Sequence, residues 1–137
     1  KIYIEAESSK IGNIHIPKSI WKKMINSPRI EISANVDLRA KFLVKDYDYM
    51  CNDPTLIKPI IKGLKNRLSK KLLDEWTNLI DSKKWFDLTK SFLENHYDPS
   101  YSSNTIKNDR KVLKKITASS LNNSDIEHIA KNILNKN

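Results

Sequence analysis

Apolar residues crowd two short stretches of this chain and recur every three or four positions almost everywhere else. The run Ile2–Tyr3–Ile4 leads into Glu5 and predicts an interior strand over residues 2–5, with Glu5 and Glu7 at its C-terminal edge. A polar loop should follow through His15. Pro17 suits the first position of a helix whose apolar face is Ile20, Trp21, Met24 and Ile25, ending before Ser27-Pro28. "RIEIS" (29–33) alternates and predicts a second strand. Val36, Ala40, Leu43, Tyr47 and Met50 then mark one side of a helix. Asp53-Pro54 restarts the chain, and Ile57, Ile60, Ile61, Leu64 and Leu68 give another amphipathic helix, in which Pro59 is awkward. Ser69 can cap a long helix carrying Leu72, Leu73, Trp76, Leu79 and Ile80. A further helix carries Trp85, Leu88, Phe92 and Leu93 and should stop at "HYDPSY" (96–101), where Asp98-Pro99 is a turn signal. "RKVLKKIT" (110–117) fits a last strand or a helix, with strand favoured because the chain breaks at "ASSLNNS", and Ser124 reads as the cap of a final helix with Ile126, Ile129, Ala130 and Ile133. Trp76 and Trp85 are both expected in the core.

Two or three short strands among so many helices predict an α/β fold, helix-rich. The sheet has few strands for its helices, and its first strand has no element before it. Both features are expected if the chain is the C-terminal part of a larger α/β domain.

Composition narrows the function. A hydrophobic content of 39% with three Trp is that of a folding chain rather than a disordered one. Only two glycines occur, which excludes a Gly-rich phosphate loop. Lys and Arg number 25 against 16 Asp and Glu, a net charge of +9. That excess suits a polyanion, RNA or DNA first and a membrane surface second. It is equally what an AT-rich genome produces through Lys, Asn and Ile codons. Cys51, the single cysteine, forms no framework and reads as a helix-end residue in a reducing cytoplasm. No apolar run approaches the length of a membrane span. His15, His96 and His128 lack metal-ligand spacing, so no metal site is predicted.

Three stretches, "EAESSKIGNIHIP" (5–17), "GLKNRL" (63–68) and "LENHYDPSY" (93–101), in this order and spacing, resemble the C-terminal region of bacterial tRNA 2-selenouridine synthase. The resemblance spans roughly residues 2–101. It implies that residues 1–137 form the C-terminal portion of a P-loop NTPase-like domain. The family's rhodanese domain, with its catalytic cysteine, and its Walker A loop are absent from this sequence. The implied activity replaces sulfur by selenium in the wobble 2-thiouridine of tRNA. It runs through a geranylated intermediate, with selenophosphate and geranyl diphosphate as co-substrates. The implied partners are tRNA and the missing segments of the same protein, with no membrane. The chain alone is expected to be inactive. Two other readings stay open, a fragment of a P-loop small-molecule kinase and a non-enzymatic basic RNA-binding module.

Ligands of open α/β sheets bind beyond the C-terminal strand ends. Glu5 and Glu7 at such an edge are the catalytic candidates, because a carboxylate there can hold Mg²⁺ or orient an attacking group. Ser8 could add a hydroxyl. Ser9 and Asn13 stand where the family usually has Arg. Lys10 offers a cation nearby, but a point charge rather than a fork. Arg39 and Arg67 are the remaining anion-binding candidates. His96 ends a helix, Asp98 forms the turn, and Tyr97 and Tyr101 could stack on an unpaired base. Arg110, Lys111, Lys114 and Lys115 form a compact basic run suited to an RNA backbone. Each candidate has a plainer reading: solvated loop, solvated helix face, turn packed on the core, or charged sheet edge.

Overall fold

The computed structural model describes residues 2–5, 8–104 and 110–135, with only the backbone of 102–104. Its framework is a set of helices inserted between two parallel strands. β3 (Arg29–Ser33) pairs in parallel with β4 (Val112–Thr117), in the register Ile30↔Lys114 to Ser33↔Thr117. One extra residue, Leu113, interrupts the ladder at its start. Ala118, 4% exposed, extends the pairing by donating its N–H to the Ser33 carbonyl at 2.7 Å. β3 is where the alternation puts it, and β4 falls within 110–117, where strand is the favoured of two readings.

The helices between them build the core. α2 (Val36–Asp46) starts at Asn35, whose side chain accepts from the Leu38 N–H. α4 (Ile57–Gly63), α5 (Lys70–Asp81) and α6 (Trp85–Phe92) surround Ile61, Trp76, Ile80 and Leu88. Trp76 is fully buried, and its indole N–H donates to Ser91 Oγ at 2.8 Å. Its ring lies 5.4 Å from that of Phe92, so truncation to Ala would remove about 3–5 kcal/mol. Trp85 is only half-buried: it packs against this core from the side and also forms a wall of an apolar cavity.

Several elements differ from the sequence expectation. Residues 2–5 form no strand: no described strand offers their backbone a ladder, and Ile2 is 86% exposed. They lie across a cleft of about 800 Å³ from Arg29, Ile30 and Ile32. Tyr3 Oη donates to the Ile133 carbonyl at 3.1 Å. The polar loop contains a small antiparallel hairpin, β1 (Lys10–Ile11) and β2 (Ile14–His15). Gly12 (φ +58°) occupies the first loop position, where such a tight turn needs positive φ. α1 (Lys18–Asn26) follows Pro17 as expected.

The helix expected through Met50 breaks at Tyr47 and restarts as α3 (Asp48–Asn52). The one expected through Leu68 ends at Gly63 in a hydrogen-bonded turn. "HYDPSY" does not stop the chain's helix. The helix widens into a π turn (Leu93–Tyr97), in which the Asp98 N–H reaches back to the Leu93 carbonyl. It then continues as α7 (Asp98–Asn104). Pro99, which has no N–H to give, is tolerated where the α-helical ladder is already interrupted. Finally, α8 (Asn123–Leu134) is capped by Asn122, whose Oδ1 accepts from the Asp125 N–H, rather than by Ser124.

Candidate functional site

The π turn brings together residues that lie far apart in the sequence. It places Asp98 at the start of α7 opposite Arg39 on α2. Arg39 Nη1 donates to Asp98 Oδ1 at 2.8 Å and Nη2 to Oδ2 at 2.6 Å, a two-pronged pairing. Asp98 hydrogen bonding holds the guanidinium charged beyond its ordinary range, and the same bonds hold the Asp98 carboxyl below its ordinary value. Arg39 is therefore not the open anion site expected of it, since both terminal nitrogens are engaged. Its Nε is buried and has no hydrogen-bond partner among the described residues. Next to the pair, Tyr97 and Tyr101 stack on each other, centroids 6.0 Å apart and planes 13° from parallel, while both stay exposed. His96 is half-buried with its ring edge-on to Phe92 at 5.1 Å, which gives it a packing role. A second ion pair, Lys90 to Asp37 at 2.8 Å, ties α6 to α2 beside it.

Arg39 and Tyr97 also border a cavity of about 610 Å³. Its other walls are almost entirely apolar, among them Phe42, Leu43, Met50, Trp85 and Leu88. Sequence reasoning missed this cavity. The available signal was that α2 and α3 carry apolar side chains outside the single stripe, Phe42 and Val44 besides Ala40, Leu43 and Tyr47. Cys51 is in the wall. Burial pushes its thiol up, and the charge of Asp48 adds to the shift, so it remains a protonated thiol.

The other candidates lie elsewhere. Glu5 lines the cleft beside β3 together with Arg29 and Arg110, not the mouth of a strand. Glu7 lies outside the described residues. Ser8 Oγ accepts from the Lys10 N–H at 3.0 Å and so shapes the turn before β1, on which Lys10 is exposed. Arg67 is exposed in the turn between α4 and α5. The basic run does not form one face. A strand sends Lys114 and Lys115 to opposite sides, and Lys114 is half-buried. Lys115 reaches Glu31 Oε2 at 3.4 Å, Arg29 also binds Glu31 through Nε at 2.8 Å, and both depress that carboxyl. Arg110 Nη1 donates to the Met24 carbonyl at 3.4 Å, while Lys111 stays exposed. Among the described residues no group of three or more His, Cys, Asp or Glu could hold a metal. No described helix is long and apolar enough to cross a membrane.

A short parallel ladder closing around a helical body makes this a helix-rich α/β domain. Residues 1–131 match the family model described as the tRNA 2-selenouridine synthase AAA domain. The chain belongs to that family. The match runs past residue 101, where the motif resemblance fades, through β4 and most of α8. Searches of curated proteins and of solved structures returned no match.

Proposed function

We propose that the chain is part of a tRNA-modifying transferase that replaces sulfur by selenium in the wobble 2-thiouridine. The reaction uses selenophosphate as selenium donor and passes through a geranylated intermediate. The family match over residues 1–131 carries this reading. The apolar cavity supports it. A geranyl chain needs a dry, mostly hydrocarbon pocket with few polar groups at its border, and this pocket has Arg39 and Tyr97 there. The exposed tyrosine pair beside it suits stacking on an unpaired base of tRNA. Glu5 and Glu7 hold Mg²⁺ or orient an attacking group, Glu5 from the cleft beside β3 rather than from this cavity. The activity belongs to the full-length protein acting on tRNA in the cytoplasm, together with a rhodanese domain and a Walker A loop, and this chain alone is silent.

The test is selenium incorporation into tRNA by the full-length protein. Glu5→Gln and Glu7→Gln should leave the fold intact and strongly reduce incorporation. Val44→Phe, which adds volume to the cavity wall, should weaken binding of geranyl diphosphate while leaving tRNA binding intact. Full activity in both carboxylate variants would remove Glu5 and Glu7 from the chemistry. Unchanged geranyl binding in the Val44 variant would remove the cavity from it.

A further inference from the structure

Residues 54–73 contain six of the chain's 25 Lys and Arg and none of its 16 Asp and Glu. Two thirds of the formal net charge of +9 therefore belongs to this one stretch. The structure folds its second half into an elbow between α4 and α5. Leu64, Leu68 and Leu72 turn inward onto the cluster of Ile61 and Trp76. Lys62, Lys65, Arg67, Lys70 and Lys71 are left on the outside, all exposed.

The backbone beneath them is fixed. Arg67 N–H donates to the Leu64 carbonyl at 2.8 Å, Leu68 N–H to the same carbonyl at 3.2 Å, and Ser69 Oγ accepts from the Leu72 N–H at 3.3 Å. Lys58, the sixth cation, binds Asp81 at 2.9 Å. Among the described residues the other five have no ion pair. Lys70 and Lys71 also stand in the first turn of α5, which has no acidic residue. A helix N-terminus repels positive charge, so these two cations oppose their own helix. Asp74 and Glu75 lie one turn further along α5. None of the five cations is held in an ion pair among the described residues, however, and two stand against the local helix field, an arrangement that suits an anion outside the molecule.

We infer that the α4–α5 elbow, rather than the β4 run, is the surface that receives the phosphate backbone of a folded RNA. The inference rests on the functional reading above, which makes that RNA a tRNA. Several exposed cations in one short arc suit a chain of phosphates better than a single small anion, which a built pocket would hold. A membrane surface is the weaker fit. An interfacial anchor needs exposed apolar side chains beside its charges; Leu64 and Leu68 of this elbow are spent on the core, and of the two exposed apolar residues earlier in the stretch, Leu56 and Ile60, Ile60 belongs to the wall of the apolar cavity. Contacts of this type fix position without reading sequence, so the elbow orients tRNA while other groups select the wobble base.

The experiment compares two charge-matched triple variants of the full-length protein, with a fluorescent tRNA transcript and a salt titration. One is Lys65→Gln/Lys70→Gln/Lys71→Gln. The other is Lys18→Gln/Lys22→Gln/Lys23→Gln on α1, where the three lysines are also exposed. The elbow variant should bind more weakly, with a salt slope shallower by up to about 2–3 when three phosphates are no longer neutralised. The α1 variant should keep the parent slope. The elbow variant should melt no lower than the parent, because neutralising Lys70 and Lys71 relieves the helix terminus. Equal losses in both variants would reduce the effect to net charge and overturn the inference. So would tRNA binding by the parent that the elbow variant retains unchanged, a result that leaves the functional reading intact. Elbow-dependent binding to phosphatidylserine vesicles, without elbow-dependent binding to tRNA, would also overturn it, in favour of a membrane surface. A parent protein with no salt-dependent affinity for tRNA would defeat the functional reading itself.

Discussion

Asp98 exists as a carboxylate in this fold because Arg39 grips both of its oxygens. Its folded pKa lies below its unfolded value, so the pair stabilises the protein fully above the unfolded value, near pH 4, and the contribution fades as pH falls through the lower folded value. Arg39 stays charged throughout. Asp98→Asn should therefore cost about 1–2 kcal/mol at pH 7, a figure already reduced for a side chain 40% exposed to solvent. The cost should shrink as pH falls below the unfolded value, as urea melts of parent and variant at pH 7 and in acid would show. A penalty independent of pH would assign the loss to packing. Both residues were legible in the sequence as polar groups of interest, but each as a separate ligand for an anion or a base. Their pairing spans 59 positions, and no periodicity relates one to the other. The same limit hid the cavity. Each of its apolar residues looked like ordinary core, and only the packing of α2 against α6 leaves a space between them.

Helix interiors were readable from their spacing, while their ends depended on chemistry that the sequence leaves open. Asn35, Ser69 and Asn122 each accept a backbone N–H from the first turn of α2, α5 and α8. Replacing each by Ala should cost about 1 kcal/mol, measured as a shift of the denaturation midpoint. Ser124→Ala should cost less, because that hydroxyl donates to the Asn122 side chain instead of capping the helix itself. "NNS" offers three capping residues in a row, and only the backbone angles decide which one serves. Asp98-Pro99 misled for a related reason. Proline forbids a regular α-helical bond, which reads as a stop, yet a π turn also breaks the ladder and lets the helix continue. Ile2–Glu5 carries the apolar signature of a strand, but a strand exists only where a neighbour supplies hydrogen bonds, and pairing is not a local property.

Across the whole molecule, 29–33 was legible as a strand from its alternation and 110–117 as the favoured of two readings, and the α/β class rested on both together with the expected strand at 2–5. The partnership of β3 with β4 was not legible, because the ladder joins Ser33 to Thr117 around the entire helical body. The helices pack largely on neighbours close in sequence, whereas the ladder must close a long loop before it gains anything. In refolding, far-UV helical signal should therefore return before the β3 amides become protected in pulsed hydrogen exchange; simultaneous recovery would mean that the sheet templates the helices. The same separation acts during synthesis. A ribosome adding about 5–20 residues per second leaves β3 without β4 for roughly 4–16 seconds. Throughout that interval Ile30 and Ile32 have no β4 to pair with, so nascent β3 is the stretch of this chain with most reason to be shielded while translation continues.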